Sequence, residues 1–229
     1  MSGKKYKKSL GLIEEQKKYN IEEAFSILDK MEKAKFDETV EVSIRLGVDP
    51  KQSDQMVRGA IPLPHGLGKD VRVIVFTKGE KEKEALAAGA LEVGSDSLVE
   101  KIKGGWLDFD KAVASPDMMG TVSKIAKILG PRGLMPNPKV GTVTPDVVRA
   151  VKEAKAGRAE FKVDKTGIIH TPIGKRSFGG AKLKDNFMSL YEAVMKAKPS
   201  TSKGIYVKSI AVSSVMSPGV RINVNTIKI

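Results

Sequence analysis

The sequence predicts a mixed α/β protein of two domains, one of which is split by the insertion of the other. Three observations lead to this prediction. A stretch that begins at Thr39 alternates apolar and polar residues with the period of a half-buried strand. A later run, residues 70–76, is almost continuously apolar, as in a strand covered on both faces, and helix-like and strand-like segments alternate after it. The first strand pattern then returns from Glu160.

The economical arrangement is a split two-layer α+β domain into which a Rossmann-like three-layer α/β domain is inserted. The predicted boundaries are residues 1–66 and 159–229 for the split domain and residues 67–158 for the insertion. Because an inserted domain leaves and re-enters its host at neighbouring points, the two connections should lie side by side and form a hinge. The expected hinge residues are Gly66, Gly68 and Gly157.

The first segment combines a basic arm, a helix and a strand. The arm, KKYKK at residues 4–8, is interpreted as a solvated tail, with contact to nucleic acid as the alternative. Asn20 and Glu23 form a capping-box pattern at the start of the helix. Apolar residues then recur at helical spacing: Phe25, Ile27, Leu28 and Met31. The strand carries a polar row: Thr39, Glu41, Ser43 and Arg45.

The middle segment alternates helix-like EKEKEALAAGA, SLVEKIKGG and SKIAKILG with strand-like LEV and KAVAS. The stretch from Leu129 to Val143 is rich in Gly and Pro, so it cannot continue a helix or form a central strand. Residue type alone leaves a phosphate loop, a lid, a linker and an ordered surface loop open there. After it, Thr144 is predicted to cap a helix, with Pro145 at its first position and Gly157 just beyond its end.

The last segment is predicted to hold a hairpin, a long helix and a final strand. The hairpin FKVDKTGIIH turns between Asp164 and Gly167. The helix stops before Pro199, and its apolar residues recur at helical spacing: Leu183, Phe187, Leu190 and Val194. The strand GIYVKSIAV then leads into VRINV.

Composition favours a polyanionic partner. The 229 residues include 40 Lys and Arg against 27 Asp and Glu, which gives a formal charge of +13 and a pI of about 9.7. The split domain holds 24 basic and 15 acidic groups, and the insertion holds 16 and 12. The surface that attracts anions is therefore expected mostly on the split domain.

Composition also disfavours several other classes of protein. Cysteine is absent, which excludes disulfides and thiolate metal sites and fits a reducing cytoplasm. No signal-peptide pattern and no apolar run of about 20 residues is present, so neither secretion nor a membrane partner is expected. The two histidines, His65 and His170, lie 105 positions apart and form no metal-binding motif.

An enzyme acting on a phosphorylated metabolite through the β/α insertion is the alternative function. The glycines before a lysine in HGLGKD, residues 65–70, suggest a phosphate loop. However, the GxxxxGK[ST] spacing is absent, and the glycines precede a strand instead of opening a helix. No GxGxxG follows the strand DVRVIVF, and the next helix begins with acidic residues. Fold rhythm alone supplies no function, so a hinge explains residues 65–70 better.

Two polar strand faces point instead to RNA. The row from Thr39 to Arg45 offers hydroxyls, a carboxylate and a guanidinium. On the last long strand, small side chains share one side: Ser209, Ala211 and Ser213. Such a surface lets a ribose-phosphate backbone approach closely, although an ordinary solvent-facing sheet is the alternative. Because aromatic residues make up only 5% of the chain, recognition of a folded RNA by shape and backbone is expected over base stacking.

The chain contains five distinctive stretches: KFDETVEV, SDQMVRGAIPLPHGLGK, LGPRGLMPNPKVGTVTP, KAGRAEFKVDKTGIIHTPIGK and KAKPSTSKGIYVKSI. Together they resemble the uL1 family of bacterial large-subunit ribosomal proteins over nearly the entire chain. The resemblance implies a split outer domain with a Rossmann-like insertion, no enzymatic activity, and neither cofactor nor metal. It also implies binding to the stalk region of large-subunit rRNA, help in releasing deacylated tRNA from the exit site, and repression of the protein's own operon through its mRNA.

The partners implied by the resemblance are this rRNA, the operon mRNA, exit-site tRNA and other ribosomal components, in the cytoplasm, and the free protein is expected to be a monomer. Mapped by motif, the family's RNA surface falls on Lys35, Phe36, Thr39, Glu41, Lys165, Thr166, Gly167, Ser209 and Met216. The polar faces and the strand edge add Arg45, Ser213 and His170 to the predicted RNA-binding residues. The loop from Leu129 to Val143 is expected to be ordered and to lie outside this surface.

One turn departs from the family pattern. Where the family typically has Thr-Met-Gly, this chain has Val215, Met216 and Ser217. Val215 lacks the hydroxyl and Ser217 replaces the glycine, so RNA contact at these two positions is not expected to follow the family. Since a lost hydrogen bond commonly costs about 0.5–1.5 kcal/mol, the remaining surface is sufficient for tight binding.

Overall fold

The computed structural model describes residues 3–14 and 16–227. Its helices are α1 (Lys4–Leu10), α2 (Ile21–Lys30), α3 (Glu80–Ala87), α4 (Asp96–Lys103), α5 (Met119–Ser123), α6 (Ala126–Leu129), α7 (Val147–Lys155) and α8 (Gly179–Lys196). Its strands are β1 (Thr39–Leu46), β2 (Arg58–Pro62), β3 (Val73–Phe76), β4 (Glu92–Gly94), β5 (Lys111–Ala114), β6 (Arg158–Lys162), β7 (Ile168–Lys175), β8 (Val207–Ser214) and β9 (Val220–Ile222). Short 3-10 turns lie at Ser53–Gln55, Pro116–Met118, Pro138–Val140, Arg176–Phe178 and Val224–Thr226. The predicted mixed α/β class is confirmed.

The chain divides into two compact units. Unit 1 comprises Met1–Gly68 and Ala159–Ile229, and unit 2 comprises Lys69–Arg158. Within the described residues, no helix is long and apolar enough to cross a membrane.

Unit 1 is built on a four-stranded antiparallel sheet in the order β7-β1-β8-β9. Strand β1 is central, and its apolar side chains point to one face because successive residues alternate between faces. These residues are fully buried at Val40, Val42 and Ile44. The inward face packs against α2 and α8 in a core that includes Phe25 and Phe187. A smaller sheet pairs β2 with β6.

Unit 2 is built on a three-stranded parallel sheet in the order β4-β3-β5. Strand β3 is buried along its whole length, as the apolar run predicts. Ile74 and Phe76 point into a core formed with α4, α5 and α6, whereas Val73 and Val75 point into a second core formed with α3 and α7. Helices therefore cover both faces of this sheet, which gives the unit three layers.

The Gly- and Pro-rich stretch of unit 2 is held by internal hydrogen bonds. The backbone N–H of Asn137 donates to Thr142 Oγ1 at 2.7 Å, and the N–H of Thr142 donates back to the Asn137 carbonyl at 3.2 Å. Val143 then forms a parallel bridge with Ala114 at the end of β5. This stretch is therefore an ordered loop attached to the edge of the parallel sheet.

One helix was not predicted, and one predicted helix start was wrong. Residues 4–8, predicted as a solvated basic arm, are exposed but lie in α1, where the N–H of Lys7 donates to the Gly3 carbonyl at 3.1 Å. Helix α7 begins at Val147, not after Thr144, because the Asp146 carboxylate accepts the N–H of Arg149 at 3.1 Å and so supplies the cap. Asp146 was missed because Thr144 and Pro145 form an equally good start pattern.

Two further predictions need correction. The helix expected over SKIAKILG is split into α5 and α6, with a break at Lys124 and Ile125. The expected hairpin at Asp164 has its tight turn and one bridge, between Val163 and Ile169, but its strands then separate. Strand β6 joins β2, and β7 joins β1, so the turn links two different sheets.

Candidate nucleic-acid interface

The outward face of the unit 1 sheet is polar along β1 and β8. Opposite the apolar row, β1 presents Thr39, Glu41, Ser43 and Arg45, of which Glu41 and Arg45 are exposed. Strand β8 presents Ser209, Ala211 and Ser213 on the same face. The small side chains of β8 leave the middle of this face flat. We call these seven residues, with their neighbours on β7 and β9, the outer face.

Strand register brings predicted residues together in rows. Glu41 lies opposite Ser213, and Arg45 lies opposite Ser209. His170 on β7 lies opposite Ser43, with its Nδ1 3.0 Å from the Ser43 hydroxyl oxygen. The structure therefore assembles six of the predicted residues on one surface: Thr39, Glu41, Arg45, His170, Ser209 and Ser213.

The turn that carries Lys165, Thr166 and Gly167 lies at one end of the outer face, where the Gly167 carbonyl accepts the N–H of Leu46 at 2.8 Å. The Asp164 carboxylate holds the turn by accepting the N–H groups of Thr166 and Ile168, both at 2.8 Å. Backbone donation from Ile168, followed by donation from the Thr166 hydroxyl, lowers the pKa of Asp164 from its ordinary value.

This geometry assigns different tasks within the turn. The Thr166 hydroxyl donates to Asp164 at 2.7 Å, so it offers a ligand only an acceptor. Gly167 has φ of 81°, a conformation that favours glycine. Lys165 is exposed to solvent, so its side chain is accessible to a partner.

The other end of the outer face carries exposed apolar side chains. Phe36 is 56% exposed and Met216 is 63% exposed, so both offer apolar surface to a partner. The turn of Met216 is attached to the start of β1, because the N–H of Val215 donates to the Thr39 carbonyl at 3.2 Å. A groove of about 540 Å³ lies beside this turn; its lining residues include Tyr6, Ala34, Val215 and Met216.

The two positions that depart from the family pattern are both accounted for. Val215 is 54% exposed and lines the groove, so it presents an apolar surface where the family typically has a threonine hydroxyl. The Ser217 hydroxyl accepts the N–H of Ser214 at 2.8 Å and donates to the Pro218 carbonyl at 3.2 Å. Ser217 therefore stabilises the turn internally.

Sequence reasoning missed two cations on the outer face. Lys175 lies opposite Thr39, and its Nζ donates to the Thr39 hydroxyl at 3.0 Å. Arg221 on β9 lies opposite Ala211, next to the flat middle of the face. The alternation of Val220, Arg221 and Ile222 was a usable signal for Arg221, whereas Lys175 required the register of β7. With Arg45, these groups make the face more basic than predicted.

The three predicted hinge glycines all have positive φ, at 65°, 65° and 94° for Gly66, Gly68 and Gly157. Gly66 is held to α8, because the side-chain amide of Asn186 donates to its carbonyl at 3.0 Å. Gly68 packs so closely on Phe178 that a Cβ there would lie 2.9 Å from the ring. Gly66 and Gly68 therefore both make contacts within unit 1, and their role as a hinge stays a prediction.

The features that suggested an enzyme form no reaction site in the described part of the chain. In the sequence HGLGKD, the N–H of His65 donates to Asn186 and that of Gly66 donates to the Leu63 carbonyl, so neither points to a phosphate. Across residues 3–14 and 16–227, no group of three potential metal-ligating side chains is found. A cleft of about 610 Å³ beside Trp106 lies at the amino ends of the parallel strands, not at the carboxyl ends where such sheets bind ligands.

Comparison with known proteins decides the family. Residues 28–218, well over half of the chain, match the model of the "Ribosomal protein L1p/L10e family". The chain is also 63% identical over 225 residues to the "Large ribosomal subunit protein uL1" of Bdellovibrio bacteriovorus, covering 98% of this chain and 96% of that protein. The chain belongs to the ribosomal protein L1 family. The resemblance inferred from five short stretches is thereby confirmed.

Membership of the L1 family settles several predictions. Family members are structural RNA-binding proteins of the ribosome, so the prediction that the chain is not an enzyme is confirmed, and the metabolite enzyme was the wrong alternative. The chain is a ribosomal protein of the large subunit, and the expected location on the cytoplasmic ribosome is confirmed with it.

Proposed function

We propose that this L1-family protein binds a folded region of large-subunit rRNA through the outer face of unit 1. The observation that carries the proposal is the row structure of that face, which combines hydroxyls, small side chains and cations on one flat surface. Two exposed loops, one with Lys165 and one with Phe36, extend the surface at its ends. Since β1 has eight residues, the loops are separated by about 23 Å, a span suited to a folded RNA and not to a mononucleotide.

In the proposed mechanism, cationic side chains supply most of the affinity, and hydroxyls and small side chains supply the fit to the RNA backbone. Lysine and arginine side chains neutralise phosphates and release counterions, which makes binding depend on salt. Serine and threonine hydroxyls reach phosphate and 2′-hydroxyl oxygens, and Ala211 with Ser213 allows the RNA backbone to approach the sheet. Phe36 and Met216 supply apolar contact to an unpaired base or a ribose at one edge. No covalent step is involved.

The finer functions rest on the same surface. We propose that the protein helps to form the mobile stalk of the large subunit, assists the release of deacylated tRNA from the exit site, and represses its own operon by binding a similar structure in the mRNA. Bending at the connections after residues 68 and 158 would let unit 2 move while unit 1 stays on the rRNA. The free protein is proposed to be a monomer.

Two single substitutions test the rRNA interface. Lys165→Ala removes one phosphate partner, so the slope of log affinity against log salt concentration should fall by about 0.7–0.9. Phe36→Ala removes stacking area but no charge, so affinity should fall roughly tenfold with an unchanged slope, equal to about 1.4 kcal/mol and within the range for base–aromatic contacts. Binding to stalk rRNA is measured by fluorescence anisotropy at several salt concentrations.

Lys196→Ala is the matched control, because Lys196 is an exposed lysine of unit 1 on α8, which packs on the opposite face of the sheet. It should leave both affinity and slope unchanged. Wild-type affinity in both test variants would contradict the proposed surface. For the finer functions, the operon mRNA should compete with stalk rRNA for one site; simultaneous binding of both would contradict a shared surface.

A further inference from the structure

Arg176 forms a buried ion pair that belongs to neither the outer face nor its loops. Its Nη1 lies 2.8 Å from Oε2 of Glu38, and the two side chains are only 4% and 1% exposed. A buried charge pair carries a large desolvation cost, so its hydrogen bonds decide what it does in the fold.

The guanidinium of Arg176 closes the end of helix α2. Its Nη2 donates to the carbonyls of Leu28 at 2.6 Å and Met31 at 2.5 Å, and its Nη1 donates to the Glu32 carbonyl at 3.2 Å. Helix α2 ends at Lys30 without a glycine turn, and the backbone N–H of Met31 donates to the Ile27 and Leu28 carbonyls. Arg176, from a distant part of the sequence, adds a second donor at Leu28 and supplies the donors for the carbonyls of Met31 and Glu32.

The backbone of Arg176 and its neighbour Ser177 hold the chain again just before β1. The N–H of Arg176 donates to the Glu38 carbonyl at 2.8 Å. The hydroxyl and the N–H of Ser177 donate to the Asp37 carboxylate at 2.7 and 3.1 Å. Residues 31–38, which we call the presenting segment, are therefore fixed at both ends by residues 176–177. Lys35 and Phe36 lie in the middle of this segment.

We propose that Arg176, through Glu38 and the α2 carbonyls, is a positioning residue for RNA binding that orders the presenting segment before RNA arrives. The inference rests on the proposed function of the outer face. Ordering in advance strengthens binding, because a loop that is already fixed loses less conformational entropy in the complex. An exposed Phe36 side chain keeps one position only if contacts on either side of it fix its backbone.

The ion pair itself supports this role over a purely stabilising one. A buried ion pair contributes little net stability compared with well-packed apolar residues, because desolvation of the two charges offsets their attraction. What the arrangement does provide is a planar fork of donors aimed at several carbonyls, which a lysine cannot reproduce.

Arg176→Lys in the full-length chain is the principal test. It keeps the charge but loses the fork, so we expect affinity for stalk rRNA to fall about tenfold. The slope of log affinity against log salt should fall by no more than about 0.9, the share of Lys35, because Arg176 is itself buried and the substitution keeps its charge. Ser177→Ala removes only the hydroxyl that donates to Asp37, at the far end of the presenting segment. Because Ser177 is exposed, this variant should fold normally, and its affinity should fall two- to threefold.

Hydrogen exchange without RNA provides the second readout. In Arg176→Lys, the amides of Met31 and Glu32, whose N–H groups donate to the Ile27 and Leu28 carbonyls and to the Ser9 hydroxyl, should exchange at least tenfold faster than in the wild type. Val194→Ala is the control, because it removes buried volume from the other end of α8 and lowers stability without touching the presenting segment. At a temperature well below its melting point, this control should show wild-type affinity and wild-type exchange at residues 31–38.

The outcomes separate the two proposals. A wild-type protein that does not bind stalk rRNA would overturn the proposed function. If the wild type binds and Arg176→Lys binds equally well, or if exchange rises while affinity stays constant, only the positioning role is overturned. A fall in the salt slope of clearly more than about 0.9 would also overturn it, because phosphate contacts other than that of Lys35 would then be lost.

Discussion

The two sheets of this protein differ in how many of their faces are buried, and the difference separates a covered sheet from the proposed binding surface. In unit 2, helices cover both faces of the parallel sheet, and β3 has no exposed residue. In unit 1, helices cover only the inward face of the antiparallel sheet, and the outer face presents polar side chains. Unit 2 has the alternating strands and helices of a nucleotide-binding fold, whereas the outer face of unit 1 has the hydroxyls and cations that suit contact with RNA. The proposed function therefore rests on the uncovered face of a sheet and not on the alternation of strands and helices.

The sharpest way to test this comparison is to separate the units. Unit 1 with residues 69–158 replaced by a short Gly-Ser linker should bind stalk rRNA within a fewfold of the full-length protein. Unit 2 alone should bind at least about a thousand times more weakly, as expected for non-specific compared with specific nucleic-acid binding, or about 4 kcal/mol. Circular dichroism establishes that each unit is folded, and anisotropy measures binding. A folded unit 1 that does not hold the RNA would reverse the assignment of the surface.

Matched core substitutions should separate stability from binding. Ile44 of β1 and Ile74 of β3 are both fully buried in the centre of their sheets. Replacement of either by Ala should cost about 2–5 kcal/mol of unfolding free energy, measured by urea denaturation. Well below the melting temperature, Ile74→Ala should leave RNA affinity within twofold of the wild type. A large loss of affinity in this variant would mean that unit 2 contributes to the interface directly.

A bulky side chain on the outer face should block RNA without disturbing the fold. Ala211 lies in the flat middle of the face, between Ser43 and Arg221. Ala211→Tyr suits a strand, so stability should change little, but the ring would keep an RNA backbone away from the sheet. We expect affinity to fall roughly tenfold, or about 1.4 kcal/mol. Ala181→Tyr, the same change at an exposed position of α8 on the opposite face of the sheet, is the control and should bind normally.

Local periodicity predicted much of the fold because its signals lie within a few residues. The alternation at Thr39–Leu46 gave both β1 and the face of each side chain, and the capping box at Asn20 gave the start of α2. Competing local signals explain the error at α7, where Thr144 and Asp146 both fit the cap pattern. The separation of β6 from β7 depends on which sheet each strand joins, and local pattern does not contain that information.

The candidate surface was predictable in part for the same reason. Side chains on one strand, such as Glu41 and Arg45, share a face by period two alone. Lys175 was missed because its place opposite Thr39 depends on register between strands that are far apart in sequence. Arg176 was missed because its partners lie 138 to 148 residues away, and a lone arginine in a sequence gives no sign of burial.

The smallest expected effect is a pH dependence confined to the Lys165 turn. The pKa of Asp164 is lowered in the folded protein, chiefly by the N–H of Ile168. Its hydrogen bonds are therefore fully present above the ordinary carboxyl pKa and are lost as the pH falls through the lowered value. In an NMR titration, the amide signals of Thr166 and Ile168 should shift together on that acidic limb, whereas Asp164→Asn should abolish the shared transition.

Because the carboxylate is exposed to solvent, global stability should change little, and RNA affinity at neutral pH should fall only a fewfold in Asp164→Asn. Amide signals that remain constant down to full protonation would show that the backbone of the turn holds its shape without Asp164, and Lys165 would then depend on Gly167 alone for its placement.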